Sequence, residues 1–176
     1  MRYRDRYEYW TQNMFFDEDT HRELLSLTDE KEIEERFYKD LEFGTGGLRG
    51  IMGAGTNRMN RYTVGRATKG LGDYLKEKHP ERLSGGVVIA YDTRNNSKAF
   101  ADAAADVFTG MGIQVYIFDK PVPTPELSFA VKHMGCIAGI VITASHNPKE
   151  YNGYKVYDEY GCQLVPKQAK EVIRYV

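Results

Sequence analysis

The sequence predicts an α/β fold with three layers, α/β/α, built around a mostly parallel βαβαβ sheet. Three apolar runs, at residues 87–91, 113–118 and 138–143, have the length and the β-branched content of buried strands. A segment with helical periodicity connects each run to the next. Strands and helices that alternate in this order form parallel sheets with right-handed crossovers. The carboxyl ends of all three strands are therefore expected at one edge of the sheet.

Residues 1–42 are predicted to form a helical extension ahead of the α/β domain at residues 43–176. The extension is rich in acidic side chains, which we interpret as a solvated face. Ile33, Phe37 and Leu41 recur at helical spacing and form one apolar stripe. We expect this stripe to dock the extension onto the rest of the molecule.

A glycine-rich segment, Gly44 to Gly55, follows the extension and has six glycines in twelve residues. Glycine adopts backbone conformations that other residues avoid and lets a ligand approach the main chain. The segment is therefore either a flexible connector or a phosphate-contacting loop that carries Arg49. It is not a Walker A motif, because no Gly-Lys-Ser/Thr follows.

Helices and an antiparallel hairpin complete the predicted domain. Apolar periodicity predicts helices at residues 63–79, 97–111 and 124–134, and Pro166 begins a last helix. Residues 155–157 and 163–165 flank the turn signal Asp158-Glu159-Tyr160-Gly161, which favours an antiparallel pair. The last helix meets no stop signal before Val176, so we expect the chain to be a fragment of a longer polypeptide.

Composition excludes some classes of partner. The net charge of −1 gives no strong field to attract nucleic acid or an anionic membrane, so neither is expected as a partner. No apolar run approaches the roughly 20 residues of a membrane helix, and the first residues lack a signal peptide's apolar core. The two cysteines, Cys136 and Cys162, have no pairing pattern. We expect a soluble cytoplasmic protein, in which local cations, and not the overall charge, would have to hold any anionic ligand.

Ser145 lies in a tight loop directly after the third predicted strand. Asn147-Pro148, and then Asn152-Gly153, are strong turn signals, and Lys155 lies ten positions downstream of Ser145. Loops at the carboxyl ends of strands are where α/β proteins place their chemistry. The pattern alone leaves two interpretations open, a nucleophile or a set of turn-forming residues.

A hydrolase triad is disfavoured. Ser145 and His146 are neighbours in sequence, and neighbouring side chains on a loop usually diverge. No Gly-x-Ser-x-Gly elbow is present, although other histidines exist at His21, His79 and His133. Nor does a Gly-x-Gly-x-x-Gly fingerprint follow the first strand, which argues against a nucleotide site.

Two motifs carry a family resemblance. Thr143-Ala-Ser-His-Asn-Pro148 followed by Tyr151-Asn-Gly-Tyr-Lys155 resembles the phosphoserine loop of the α-D-phosphohexomutases, the phosphoglucomutase and phosphomannomutase superfamily. Gly44-Thr-Gly-Gly-Leu-Arg-Gly50 resembles the N-terminal Gly-Thr-x-Gly-Leu-Arg-Gly segment of that superfamily. The resemblance covers roughly residues 40 to 166, in the region of the superfamily's domain I.

The resemblance implies a phosphoserine enzyme. Ser145 would exchange a phosphoryl group with a hexose phosphate through a bound 1,6-bisphosphate, interconverting hexose 1-phosphate and hexose 6-phosphate. Arg49 and Lys155 would neutralise the transferring oxygens, and His146 would assist proton transfer or orient the loop. Substrate contacts are expected from Thr45, Gly46, Arg49 and Asn147. Asp92 and Arg94 are less specific: they either contact the ligand or pair locally.

The cofactors implied are Mg²⁺ and glucose 1,6-bisphosphate, the latter as activator and intermediate. The metal would contact Ser145 through its phosphate and share an Asp-Gly-Asp-x-Asp-Arg loop of a second domain. No such loop occurs in this sequence, so we expect the remaining domains of the same polypeptide as partners. The fragment alone is therefore expected to be inactive.

The expected activity is that of a phosphoglucomutase, an isomerase that works by intramolecular phosphotransfer. Phosphomannomutase and phosphopentomutase activities are alternatives within the family, because the motifs do not select the sugar. An alternative of another class is a non-catalytic α/β domain that binds a phosphorylated ligand or a protein partner.

Overall fold

A six-stranded mixed sheet forms the centre of the computed structural model, which describes residues 2–44 and 46–176. Its strand order is β1-β2-β6-β5-β3-β4. The strands are β1 (Phe43–Gly44), β2 (Gly47–Ile51), β3 (Val87–Tyr91), β4 (Val115–Ile117), β5 (Ala138–Ile142) and β6 (Tyr151–Tyr157). Both β3 and β5 are buried at every position, as expected for strands covered on two faces.

Helices cover both faces of the sheet, which confirms the predicted α/β/α layers. They are α1 (Tyr3–Gln12), α2 (Glu18–Leu25), α3 (Glu30–Phe37), α4 (Arg61–Lys78), α5 (Ser97–Gly110), α6 (Thr124–Met134) and α7 (Pro166–Ile173). Side chains of α4, α5 and α7 form one apolar cluster with alternate residues of β3 and β5. The opposite face of these strands packs against α6. None of the helices in the described ranges is long and apolar enough to cross a membrane.

The expectation of a mostly parallel sheet is only partly correct. The predicted strands β3, β4 and β5 are parallel, with β3 in the middle. The pairings of β5 with β6, β6 with β2, and β2 with β1 are antiparallel. The loop from β5 to β6 is too short for a crossover, which needs a dozen or more residues, so β6 returns antiparallel beside β5.

The predicted hairpin is reduced to a single bridge. Residues 155–157 belong to β6, which fills its two sides with β5 and β2. Only Tyr157 and Gln163 form an antiparallel bridge across the turn. The predicted turn is present, but β5 and β2 already pair with both sides of β6, so residues 163–165 cannot add a strand there.

The glycine-rich segment is neither a connector nor a free loop, because β2 runs through it. Gly47 has φ +138°, and a Cβ there would lie 1.7 Å from the Tyr154 carbonyl oxygen of β6. Only glycine permits this approach of the two backbones. The segment therefore extends the sheet and places Arg49 on it.

Three helices form the N-terminal segment. Its side chains build a separate apolar cluster, which contains Trp10, Phe16, Leu24, Ile33, Phe37 and Ala54. Two members of the predicted stripe, Ile33 and Phe37, are buried there, while Leu41 packs against the main core. Arg36 adds a polar link, because its guanidinium pairs with Glu23 at 2.5 Å and donates to the Ala54 carbonyl at 3.0 Å.

Candidate active site

Ser145 occupies the short exposed loop between β5 and β6. Its φ of +56° is in the left-handed region, which serine rarely adopts. The Ser145 backbone N–H donates to Thr143 Oγ1 at 3.0 Å, and the Asn147 N–H donates to the Ala144 carbonyl at 3.1 Å. These turn bonds leave the Ser145 side chain at the surface, at the carboxyl end of a buried strand.

Lys155 of β6 is the nearest polar partner of the serine hydroxyl. Its Nζ donates a hydrogen bond to Ser145 Oγ at 2.7 Å. The antiparallel register pairs Lys155 with Val141 of β5 and with Gly47 of β2, which fixes its place on the sheet. Burial, and secondarily the positive charge of Arg49, lowers the pKa of Lys155.

Arg49 of β2 brings a second cation to the same loop. Its Nη1 donates to Asn147 Oδ1 at 3.1 Å, and its backbone pairs with Gly153 of β6. Within residues 2–44 and 46–176, neither Arg49 nor Lys155 forms an ion pair with a carboxylate. Two cations that repel each other at an exposed hydroxyl make this site suitable for an anion.

The structure thus brings together four of the predicted site residues: Ser145, Lys155, Arg49 and Asn147. Gly46 lines an adjoining cavity of about 320 Å³ together with Arg49 and Lys155. Thr45, the other predicted substrate contact in the glycine-rich segment, lies outside the described residues. His146 is exposed, and its ring makes no hydrogen bond to any described residue.

Arg94 has a role that the sequence left undecided. It follows β3, and its guanidinium donates to the backbone of the Ser145 loop and of the start of β6. The four acceptors are the carbonyl oxygens of Ser145 (2.8 Å), Asn147 (2.7 Å), Pro148 (2.9 Å) and Tyr151 (3.3 Å). The position of Arg94 at a strand's carboxyl end was the only sequence signal for this contact.

Asp92 and Asn152 form the hydrogen bonds that connect Arg94 and β6 to the start of α5. Asp92 Oδ1 accepts from the Arg94 backbone N–H at 3.0 Å and from Ser97 Oγ at 2.6 Å. Asn152 is fully buried, and its Nδ2 donates to Ser97 Oγ at 3.0 Å and to the Asn95 carbonyl at 3.1 Å. The Asn152-Gly153 pair predicts a turn, but this prediction is wrong: both residues lie within β6, and Asn152 joins that strand to the start of α5.

The described residues do not form a metal site by themselves. No group of three His, Cys, Asp or Glu side chains lies together in the described part of the chain. The Asp92 carboxylate is already engaged by Arg94 and Ser97. The chain's own side chains therefore do not fit a complete Mg²⁺ site.

A larger cavity than the one at Ser145 lies elsewhere. It has a volume of about 860 Å³ and is lined by Trp10, Phe15, Tyr62 and other residues of the N-terminal segment, α4 and α5. None of the site residues that the structure describes borders it. The chemistry at Ser145, and not cavity size, identifies the candidate site.

Comparisons with curated proteins give two similar mutases. A phosphoglucomutase of Staphylococcus haemolyticus is 46% identical over 143 residues, which are 81% of this chain and 26% of that protein. A phosphopentomutase of Mus musculus is 41% identical over 162 residues, 89% of this chain and 26% of that protein. The chain thus spans about a quarter of the length of these relatives.

Solved structures and a family model agree with these relatives. A structure from Thermus thermophilus matches with a TM-score of 0.70 at 37% identity, covering 78% of this chain and 30% of that one. A phosphoglucomutase/phosphomannomutase family protein from Burkholderia thailandensis matches with a TM-score of 0.61 at 25% identity, covering 75% and 29%. The family model described as phosphoglucomutase/phosphomannomutase, alpha/beta/alpha domain I, matches residues 40–176. The chain therefore belongs to the phosphoglucomutase/phosphomannomutase family and contains its domain I.

Proposed function

We propose that this domain supplies the nucleophile of a phosphoglucomutase-type enzyme, which interconverts hexose 1-phosphate and hexose 6-phosphate through a phosphate on Ser145. One observation carries the proposal: Lys155 Nζ donates a 2.7 Å hydrogen bond to Ser145 Oγ, and Arg49 lies beside it. Among the described residues, no carboxylate forms an ion pair with either cation. A phosphate on Oγ would provide the negative charge that these two cations lack. The family membership of the chain points to the same chemistry.

In the first half-reaction, a hydroxyl oxygen of the sugar phosphate attacks the phosphorus on Ser145. The new P–O bond forms as the bond from phosphorus to Ser145 Oγ breaks, giving a sugar 1,6-bisphosphate. Lys155, whose Nζ lies 2.7 Å from Oγ, donates a proton to the leaving Oγ. His146 takes up the hydroxyl proton, and Arg49 offers a forked charge to the equatorial oxygens.

In the second half-reaction, Ser145 attacks the other phosphate of the bisphosphate, and the steps run in reverse. Exogenous glucose 1,6-bisphosphate would load the serine by this same route and so act as activator. Thr45, Gly46 and Asn147 are proposed to contact the substrate phosphate. The proposed compartment is the cytoplasm, which suits the two free cysteines, Cys136 and Cys162.

Mg²⁺ would be held by a phosphate on Ser145 together with aspartates from a further domain of the polypeptide. The metal would supply charge neutralisation during transfer. The protein partners proposed for this domain are accordingly the remaining domains of the same chain. This division suits a domain that spans about a quarter of its relatives.

Glucose is the proposed sugar, although relatives named phosphoglucomutase and phosphopentomutase are nearly equally similar to this chain. The test is a mutase assay of the complete polypeptide with glucose 1-phosphate, mannose 1-phosphate and ribose 1-phosphate. We expect kcat/KM to be highest for glucose 1-phosphate, and Ser145→Ala to abolish turnover. The matched control is Ser84→Ala, which removes an exposed hydroxyl of the Pro80–Gly85 3-10 helix and should leave turnover unchanged.

Two results would redirect the proposal. A preference for mannose or ribose phosphate would keep the phosphoserine chemistry and replace the sugar. Absence of turnover with all three sugars, in a folded protein with Mg²⁺ and glucose 1,6-bisphosphate present, would favour a non-catalytic domain that binds a phosphorylated ligand or a protein partner.

A further inference from the structure

One guanidinium group holds the backbone of the Ser145 loop. The carbonyls of residues 145, 147, 148 and 151 accept the hydrogen bonds of the two terminal nitrogens of Arg94 at 2.7–3.3 Å. The remaining nitrogen, Nε, lies 3.4 Å from Asp92 Oδ2. The two terminal nitrogens carry two N–H groups each, so the four carbonyls match all of their donors, while Nε faces Asp92 and not the loop.

Buried residues at the start of α5 hold Arg94 in place through Asp92. Its Nε faces the carboxylate of Asp92, which Ser97 Oγ contacts at 2.6 Å. Ser97 and Asn152 are both fully buried, and Asn152 Nδ2 donates to Ser97 Oγ. The chain of contacts therefore runs from the buried start of α5, through Arg94, to the exposed loop.

Apart from Arg94, hydrogen bonds within its turns and the contacts of Arg49 with Asn147 and of Lys155 with Ser145 hold the loop. Ser145, His146 and residues 148–150 are exposed, so no apolar burial fixes them. Ser145 nevertheless keeps φ at +56°, a conformation that opposes the preference of an L-residue. The bond from Arg94 to the Ser145 carbonyl acts on this residue directly, while Lys155 contacts the hydroxyl.

We infer that Arg94 is a positioning residue for phosphoryl transfer: it fixes the loop backbone so that Ser145 Oγ stays at Lys155. This inference rests on the proposed phosphoserine function. Arg94 touches neither the hydroxyl nor any group that would react, so its effect reaches the nucleophile through the backbone. A lysine at this position keeps the charge but cannot reproduce a planar fork that serves four carbonyls.

The test is single-turnover phosphorylation of Ser145 in the complete polypeptide by glucose 1,6-bisphosphate with Mg²⁺. Wild type, Arg94→Lys and the control Arg82→Lys are compared at a temperature at which all three are folded. Arg82 is an exposed arginine that pairs with Glu159 and contacts no residue of the Ser145 loop. Misplacing a nucleophile by about 1 Å can cost 10²-fold in rate, so we expect the rate constant of Arg94→Lys to fall roughly 10- to 100-fold.

The amplitude of Ser145 phosphorylation distinguishes a positioning role of Arg94 from a role in stabilising the fold. If Arg94 only stabilised the fold, Arg94→Lys would lower the phosphorylated fraction and leave the rate constant unchanged, which would overturn the inference. A lower rate constant at full amplitude, with Arg82→Lys like wild type, supports it. If wild type takes up no phosphate on Ser145, the proposed function fails, and that result is distinct from equal rates in wild type and Arg94→Lys.

A second variant covers the case in which Arg94→Lys does not fold. Asp92→Asn keeps the four carbonyl contacts but removes the carboxylate that faces Nε. We expect a rate constant reduced about threefold to tenfold at full amplitude, together with faster hydrogen exchange in residues 144–149. A wild-type rate constant with increased loop exchange would show that loop order does not limit the transfer, and would overturn the inference.

Discussion

Ser145 has a backbone conformation that its side chain does not favour. Among the described non-glycine residues only Asn96 and Ser145 have positive φ, at 61° and 56°. Asparagine tolerates the left-handed region well, whereas serine gains little from it. Local strain of this kind is typical of functional positions, where the surrounding structure maintains it.

This strain predicts an unusual order of stabilities at position 145. Ser145→Gly and Ser145→Ala both lose the hydroxyl, but only glycine adopts positive φ without cost. We expect Ser145→Gly to be more stable than Ser145→Ala by about 0.5–1 kcal/mol in urea unfolding. Ser84, which has no positive φ, is the control, and there alanine should be the more stable of the two. Alanine being more stable at both positions would contradict the assigned conformation.

Lys155 is a cation held in a place that disfavours its charge. Burial first and Arg49 second lower the pKa of its amine. The folded protein therefore holds this proton less tightly than the unfolded chain does. Folding carries this cost below the folded-state pKa, and the cost is relieved as the pH rises from that value towards the ordinary lysine pKa of 10.5.

We therefore expect Lys155→Met to raise the free energy of unfolding at pH 7 in the unphosphorylated protein, while abolishing phosphate uptake by Ser145. The stability difference from wild type should shrink between pH 7 and pH 10, as measured by urea unfolding at each pH. Lys120→Met, which changes an exposed lysine in the loop after β4, should alter stability little at either pH. A Lys155→Met protein less stable than wild type at pH 7 would contradict this prediction.

At the scale of elements, β6 packs tightly between β5 and β2, and this packing brings Lys155 of β6 and Arg49 of β2 to the loop after β5. A Cβ at Gly153 would lie 2.5 Å from the Thr143 carbonyl oxygen and 3.0 Å from that of Leu48. Both neighbours are backbone atoms, which cannot turn aside as a side chain can. This close approach brings the strand that bears Lys155 next to the loop that bears Ser145.

Gly153→Ala is accordingly expected to lower the free energy of unfolding by about 1–3 kcal/mol, the usual cost of overpacking. The matched control is Gly65→Ala inside α4, where a Cβ would meet only Val107 Cγ2 at 3.7 Å. That control should gain about 0.5–1 kcal/mol from helix preference. Urea unfolding of both variants measures the difference, and equal stabilities would refute the packing argument.

Local patterns were sufficient to predict the strands and helices around the site. The apolar runs predicted β3 and β5 correctly, and α4 begins at Arg61, two residues before the predicted start at residue 63, with Asn60 as its N-cap. The direction of β6 was not predicted, because pairing depends on which sheet edge is free. The glycine-rich segment was not recognised as a strand, because glycine has low intrinsic strand preference.

The part of the candidate site that was predictable consists of reactive or charged side chains that lie near each other in sequence. Ser145 and Asn147 lie in the predicted turn after β5, but the second predicted turn, at Asn152-Gly153, is wrong: both residues belong to β6, and the antiparallel pairing of that strand with β5 brings Lys155 back to Ser145. The hydrogen bonds from Arg94 to the Ser145 loop were not predictable, because their acceptors are backbone carbonyls, which every residue type has. The buried link through Asn152 was missed for a similar reason.

At the scale of the whole molecule, the domain offers an exposed serine hydroxyl beside two cations, Lys155 and Arg49, but no complete metal site in its described part. The relatives are about four times as long as the matched segment. We therefore expect the 176-residue chain by itself to fold and to show negligible mutase activity with glucose 1-phosphate. A coupled assay on the isolated chain, beside the complete polypeptide at equal concentration, checks this, and robust turnover by the isolated chain would contradict it.

The central claim is that Ser145 carries the transferred phosphate, and phosphopeptide mapping of the complete polypeptide tests it most directly. The protein is incubated with glucose 1,6-bisphosphate and Mg²⁺, mapped, and then chased with hexose monophosphate. We predict phosphate on Ser145 that disappears during the chase and is absent from Ser145→Ala. An unmodified Ser145 in folded protein, or a phosphate that persists through the chase, would contradict the account.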